Sequence, residues 1–112
     1  MTEPSDHPEL TVFILVKALP AWLSAPRAER RRIGAAAASG LPAFRQFDCE
    51  AFSAMCSDIW MFAAPSAAAL HATIERLKDT PLFAEPYFEL VALLPSLEDG
   101  WKAYEAASHT AA

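Results

Sequence analysis

Five groups of residues in this chain have types and spacings that suit chemistry. His71 lies beside Leu70 at the margin of an apolar stripe, within a stretch patterned as a helix. An imidazole there could shuttle protons or ligate a haem iron; the plainer reading, which we favour, is a surface or half-buried helix residue. His7 and His109 fall in the tails. Cys49 and Cys56 are separated by six residues, unlike the short C-x-x-C spacing of zinc and redox sites. With no second pair and no histidine nearby, they read as free thiols beside a loop, and no metal is called for. Asp48, Glu50 and Asp58 gather around the same connection. Two carboxylates brought together can raise one pKa and make a general base, but aspartates at such places more often cap turns.

Arg27, Arg30, Arg31 and Arg32 form a basic cluster that could hold an anion, although Glu29 tempers it and a solvated helix face is the simpler account. Trp22, Trp60, Tyr87, Phe88, Trp101 and Tyr104 are a large aromatic set for so short a chain. They could line a pocket for a flat apolar ligand, or serve core and dimer packing. The polar groups available to orient such a ligand are Arg45, Asp58, Tyr87 and Glu89. The ligand-binding candidates are therefore Trp22, Arg45, Asp58, Trp60, His71, Tyr87 and Glu89. No catalytic residue is identified, and no cofactor is implied.

These residues must be positioned by few elements, because 112 residues hold one domain and one core. The apolar fraction of 54% is high for a small domain, which keeps much of its surface wet. A net charge of -5 opposes nucleic acid and anionic membrane surfaces as partners. Two cysteines are too few for a disulfide framework. The acidic start with Pro4 and Pro8 is unlike a signal peptide, and the longest apolar runs are too short to span a bilayer. These features predict a soluble cytoplasmic protein.

Residues 1–10 read as a disordered leader. Thr11 to Leu19 reads as a strand apolar on both faces, with Val12, Ile14 and Val16 opposed to Phe13 and Leu15. A helix follows over Arg27 to Ser39, with Ser24 as its cap and Gly40 with Pro42 as its stop. Its small residues, Ala35 to Ala38, would let it lie close to a sheet. Ala43 to Cys49 reads as an edge strand of mixed polarity. Asp58 to Ala63 is a central strand, with Ile59 and Met61 on one face and Trp60 and Phe62 on the other. Ser66 caps a second helix, whose stripe is Leu70, Ile74 and Leu77. Leu82 to Pro86 reads as a loop. Tyr87 to Leu94 is a fourth strand stopped by Pro95. Ser96 and Asp99 then look like the cap of a short closing helix through Trp101 and Tyr104, with a flexible tail at 106–112.

The order βαββαβ, with right-handed crossovers, predicts an α+β fold: a four-stranded antiparallel sheet in the order 4-1-3-2 with two helices on one face. Two helices leave the other face bare, and an apolar face of that size costs free energy in water at about 25 cal/mol per Å². A second copy, sheet against sheet, is the simplest cover; the closing helix is the competing one.

The stretches TVFILVKALPAWLSAPRAER (Thr11 to Arg30), DCEAFSAMCSD (Asp48 to Asp58) and IERLKDTPLFAEPYFELVALLPSLEDGWKAYE (Ile74 to Glu105) together resemble the darcynin family of small bacterial proteins. The resemblance covers most of the chain apart from the termini and the middle of helix one. It implies a ferredoxin-like domain of the dimeric α+β barrel kind. It implies no activity and transfers no site residue. The wider barrel group includes cofactor-free monooxygenases, isomerases and haem-handling proteins, and none of their motifs is present. The functional expectation is a pocket between sheet and helices for a small apolar or aromatic molecule. Its alternatives are a cofactor-free monooxygenase- or isomerase-like enzyme and a non-catalytic dimeric accessory module.

Overall fold

A computed structural model describes the backbone of residues 8–111, and side chains as far as Ser108. The elements are β1 (Leu10–Ala18), α1 (Pro20–Ser24), α2 (Arg27–Ala38), β2 (Arg45–Asp48), β3 (Asp58–Ala64), α3 (Ala67–Asp79), α4 (Pro81–Ala84), β4 (Phe88–Ser96) and α5 (Gly100–Ala111). The four strands form one antiparallel sheet in the order β2-β3-β1-β4, which is the predicted order read from the other edge. The fold is α+β and ferredoxin-like.

Alternation along the strands sorts the side chains onto two faces. Val12, Ile14 and Val16 are wholly buried beneath the helices, with Trp60, Phe62 and Ala64 beside them on β3. Leu77 of α3 and Leu82 of α4 close this core from above. On the other face, Phe13 stands opposite Met61 and Leu94, and Leu15 stands opposite Ile59 and Ala92. Among the described residues no helix covers them. The described side chains of α5 from Trp101 onward are all exposed, Tyr104 by 76%, so the closing helix does not provide the cover.

Several boundaries differ from expectation, each for a physical reason. The chain after β1 does not wait for Ser24 to start a helix: Pro20 opens the five-residue α1, where its fixed φ and missing N–H suit the first turn. Ser24 caps nothing, and its hydroxyl instead donates back to the Ala21 carbonyl. Pro26 occupies the cap position of α2. The expected loop at 82–86 contains α4, which is opened by Pro81 and held by the burial of Leu82. β4 runs through Pro95 to Ser96, as an edge strand allows because half of its N–H groups face no neighbour. Ser96 and Asp99 form no capping box. Ser96 bonds the Leu94 carbonyl, while Asp99 has φ 50° and lies 3.6 Å from the Lys102 ammonium. Leu10 belongs to β1, the rest of the expected leader as far as His7 lies outside the described residues, and the expected tail is helical to Ala111. Ser66 does cap α3, its side chain accepting from the Ala69 N–H at 3.0 Å.

Candidate functional site

α1 and α2 meet at a corner built around Arg30. Its Nε donates to the Ala25 carbonyl at 2.9 Å and its Nη2 to the Leu23 carbonyl at 2.6 Å, while the guanidinium lies 6.0 Å from the Trp22 ring centre. Trp22 in turn packs on Phe88 of β4, ring centres 4.8 Å apart, and edge-on against Tyr87 at 5.7 Å. This corner holds the first turns of α2 above the sheet. α2 packs against α4 and sends Ala37 into the core.

The result is a cleft of about 770 Å³ between α2 and the sheet. Ala35 and Ala38, from the run expected to let that helix lie close to the sheet, line the cleft together with Gly34, while Ala37 of the same run is buried in the core. Its apolar walls include Trp22, Phe44, Trp60 and Phe88. The rings interlock: Phe44 stacks on Phe62 at 4.8 Å, and Trp60 meets Phe88 edge-on at 5.2 Å. Asp58 and Gln46 add polar groups, and Arg30 and Arg31 belong to the lining on the helix side.

Asp58 is the titratable group of most interest. It is half-buried on β3, two residues before Trp60 and opposite Asp48 of β2. Burial pushes its carboxyl above the ordinary 3.8, and the negative charges of Asp48 and Glu50 push the same way; a hydrogen bond from Ser57 opposes them. Ser57 is a buried node. Its Oγ accepts from the Ala18 N–H at 2.8 Å and has one proton to give. Asp58 Oδ2 at 2.8 Å is the nearer acceptor and the Val16 carbonyl at 3.3 Å the farther one.

Of the seven residues singled out from sequence, Trp22, Asp58 and Trp60 converge on the cleft. Tyr87 packs behind Trp22 without lining it. Arg45 and Glu89 belong to the opposite face of the sheet. Arg45 pairs in register with Met61 and lies over the Phe47 ring, 5.2 Å from its centre; Glu89 pairs with Lys17. His71 is on the outer side of α3, 78% exposed, its Nε2 3.8 Å from a Glu75 carboxylate oxygen. It is not among the residues lining the cleft, so the residues here do not fit a haem held by His71. Phe44, Gln46 and Gly34 line the cleft but were not singled out. The small-residue run legible in the sequence, Ala35 to Ala38, begins one residue after Gly34 and speaks only for packing.

The two cysteines are closer than their separation in sequence suggests. Cys49 Sγ and Cys56 Sγ are 3.5 Å apart, at the two ends of the β2–β3 connection. Burial raises the Cys49 pKa, followed by the hydrogen bond and charge of Cys56 and the charges of Asp58 and Asp48. Among the described residues no helix is long and apolar enough to cross a membrane.

Comparison with known proteins places these features in a family context. The family described as "Darcynin, domain of unknown function" matches residues 1–111. A Chromobacterium violaceum protein named Darcynin is 52% identical over 62 residues, covering 55% of this chain and 78% of that protein. A darcynin homolog of Granulibacter bethesdensis is 34% identical over 110 residues, covering 90% of this chain and 86% of the relative. Among solved structures, chlorite dismutase from Candidatus Nitrospira defluvii in complex with imidazole superposes with a TM-score of 0.66 at 13% identity. That match covers 85% of this chain but only 42% of the other, so this chain spans less than half of that protein's length. At such identity the likeness shows the fold alone.

Proposed function

The chain belongs to the darcynin family, and for it we propose a binding function: a flat, largely apolar or aromatic small molecule held between α2 and the sheet. The observation that carries this reading is the cleft. Its volume of about 770 Å³ lies within the span of small-molecule sites, roughly 300–1,000 Å³. Its composition fits the same class, with aromatic walls and a few polar groups on its sheet and helix sides. Trp22, Trp60, Phe44 and Phe88 supply stacking surface; Asp58 and Gln46 supply the hydrogen-bonding groups that set orientation. Tryptophans in the walls make binding observable as a change in their emission.

Asp58 supports a second reading, an enzyme that needs no cofactor. A carboxyl raised by burial and placed among aromatic rings has the environment of a general base, able to take a proton from a bound phenol or activated carbon acid. The fold kinship with part of chlorite dismutase supports no particular reaction here.

In our reading the protein works as a homodimer in the cytoplasm. The helix-free face supports a second copy as its cover, because Phe13, Leu15, Ile59, Met61 and Leu94 form one patch across three adjacent strands. The chain's own closing helix leaves that patch uncovered. Two free thiols suit a reducing compartment.

The binding reading is tested with 8-anilinonaphthalene-1-sulfonate as probe, titrated into the wild-type chain and into Gly34→Trp, which fills the cleft from its helix side. Saturable tryptophan quenching in wild type, weakened at least tenfold in Gly34→Trp, is expected. Absence of saturable binding, or equal binding by a folded Gly34→Trp, overturns it. A Phe13→Asp variant separates binding at the helix-free face, since it should leave the cleft signal intact.

A further inference from the structure

We propose that Cys49 and Cys56 are a reversible dithiol–disulfide pair, oxidised by a hydroperoxide, that cross-links the two ends of the β2–β3 connection. The two sulfurs are 3.5 Å apart, and an S–S bond of about 2.05 Å requires them to close by roughly 1.5 Å. Much of the ordering needed for that approach is already provided by the backbone. The Cys49 N–H donates to the Ser57 carbonyl at 3.0 Å, extending the β2–β3 pairing beyond Asp48 and Asp58. Inside the connection, the N–H groups of Phe52 and Ser53 both donate to the Cys49 carbonyl, at 3.0 and 2.9 Å. Turns of this kind fix the two ends before any covalent bond forms. The chain has two cysteines in all, so no third thiol competes within it.

The two thiols have different access. Cys56 is buried at 4% exposure, whereas Cys49 is half-buried and can meet a small oxidant. In the first step the Cys49 thiol gives up its proton and the thiolate attacks a peroxide oxygen; the O–O bond breaks, Cys49 becomes a sulfenic acid, and the departing hydroxide takes up that proton and leaves as water. In the second, Cys56 sulfur attacks Cys49 sulfur, the S–O bond breaks, and the thiol proton leaves with the hydroxide as a second water. Two thiols are oxidised by two electrons and one hydrogen peroxide is reduced. A dithiol reductant reverses the reaction by exchange. Burial first, then the Cys56 thiol and the carboxylates of Asp58 and Asp48, hold Cys49 as the protonated thiol, so its reaction with peroxide is slow at neutral pH and quickens as the pH rises.

The test uses the full reduced chain and hydrogen peroxide. We expect the two titratable thiols per chain to fall to none and the mass to fall by about 2 Da, the loss of two hydrogens. Peptide mapping should join Cys49 to Cys56, and dithiothreitol should restore both thiols. In Cys56→Ser, the Cys49 sulfenic acid should persist long enough for trapping by dimedone. Retention of both thiols overturns the proposal. So does a gain of about 32 Da on Cys49 without a cross-link, or a disulfide found only between chains.

Discussion

Phe13 of β1 stands directly opposite Met61 of β3, on the face of the sheet that no helix covers. Leu94 of β4 flanks Phe13 on its other side, and Arg45 of β2 flanks Met61, so one row crosses all four strands. If a second copy covers this face, the mass in solution at micromolar concentration is twice 12.2 kDa, about 24 kDa. Met61→Lys places a charge in the centre of the patch and should return the mass to that of one chain with unchanged far-ultraviolet circular dichroism. Light scattering that gives one chain for the wild type rules the dimer out.

Gly34 offers a separate handle on the cleft. A Cβ added there meets nothing within 4 Å, and the position lies inside α2. Gly34→Ala therefore gains helix propensity and reduces the freedom of the unfolded chain, with no clash to offset it. It should stabilise the fold by about 0.5–1 kcal/mol. Urea unfolding reads this as a higher midpoint at unchanged slope. A lower midpoint would mean that α2 needs its glycine for a reason the packing does not contain.

Much of the fold was legible because β1 and β3 carry two apolar alternations each, as central strands do, although β4 is apolar on both faces as well and lies at an edge. The polar residues of β2 placed it at an edge in the same way. The site was less legible, and β4 shows why. Its register with β1 shifts by one residue between Leu15 and Val16. A one-residue slip turns every later side chain to the opposite face. The bulge thus sends Leu90 and Phe88 to the helix side and Glu89 to the other, opposite Lys17. Nothing in the spacing of YFELVALL announces it. The four-residue α4 is equally silent, because its helical state depends on burying Leu82 in the tertiary structure. The approach of Cys49 and Cys56 could have been inferred from their places at either end of a hairpin connection.

Asp58 gives the fold a pH dependence whose sign follows from its surroundings. Burial first, then Asp48 and Glu50, raise its folded-state pKa above the ordinary 3.8. The folded state therefore holds this proton more tightly than the unfolded one. Its contribution to stability is fully present below pH 3.8 and is lost as pH rises through the folded-state value. Asp58→Asn keeps an acceptor for the Ser57 hydroxyl without the charge. It should melt above wild type at pH 7, with the difference shrinking as the pH is lowered toward 4. A variant that melts below wild type at pH 7 would show the carboxylate to be net favourable where it sits.

Ser57 links that carboxyl to the end of β1, and its removal should be felt at both places. The Ala18 N–H would lose its acceptor in a partly buried position, and Asp58 would lose the one bond that favours its charged form. Ser57→Ala should therefore cost about 1–3 kcal/mol, the range for leaving a buried polar group unpaired. It should also raise the Asp58 pKa further, moving the pH-dependent step upward. The two effects separate in a double-mutant cycle with Asp58→Asn. The Ala18 part persists in the Asp58→Asn background, because it does not involve the carboxyl. The upward pH shift disappears there, because no titrating group is left. If Ser57→Ala leaves the pH profile of the Asp58-containing chain unmoved, the hydroxyl serves β1 alone and its bond to Asp58 has no electrostatic consequence.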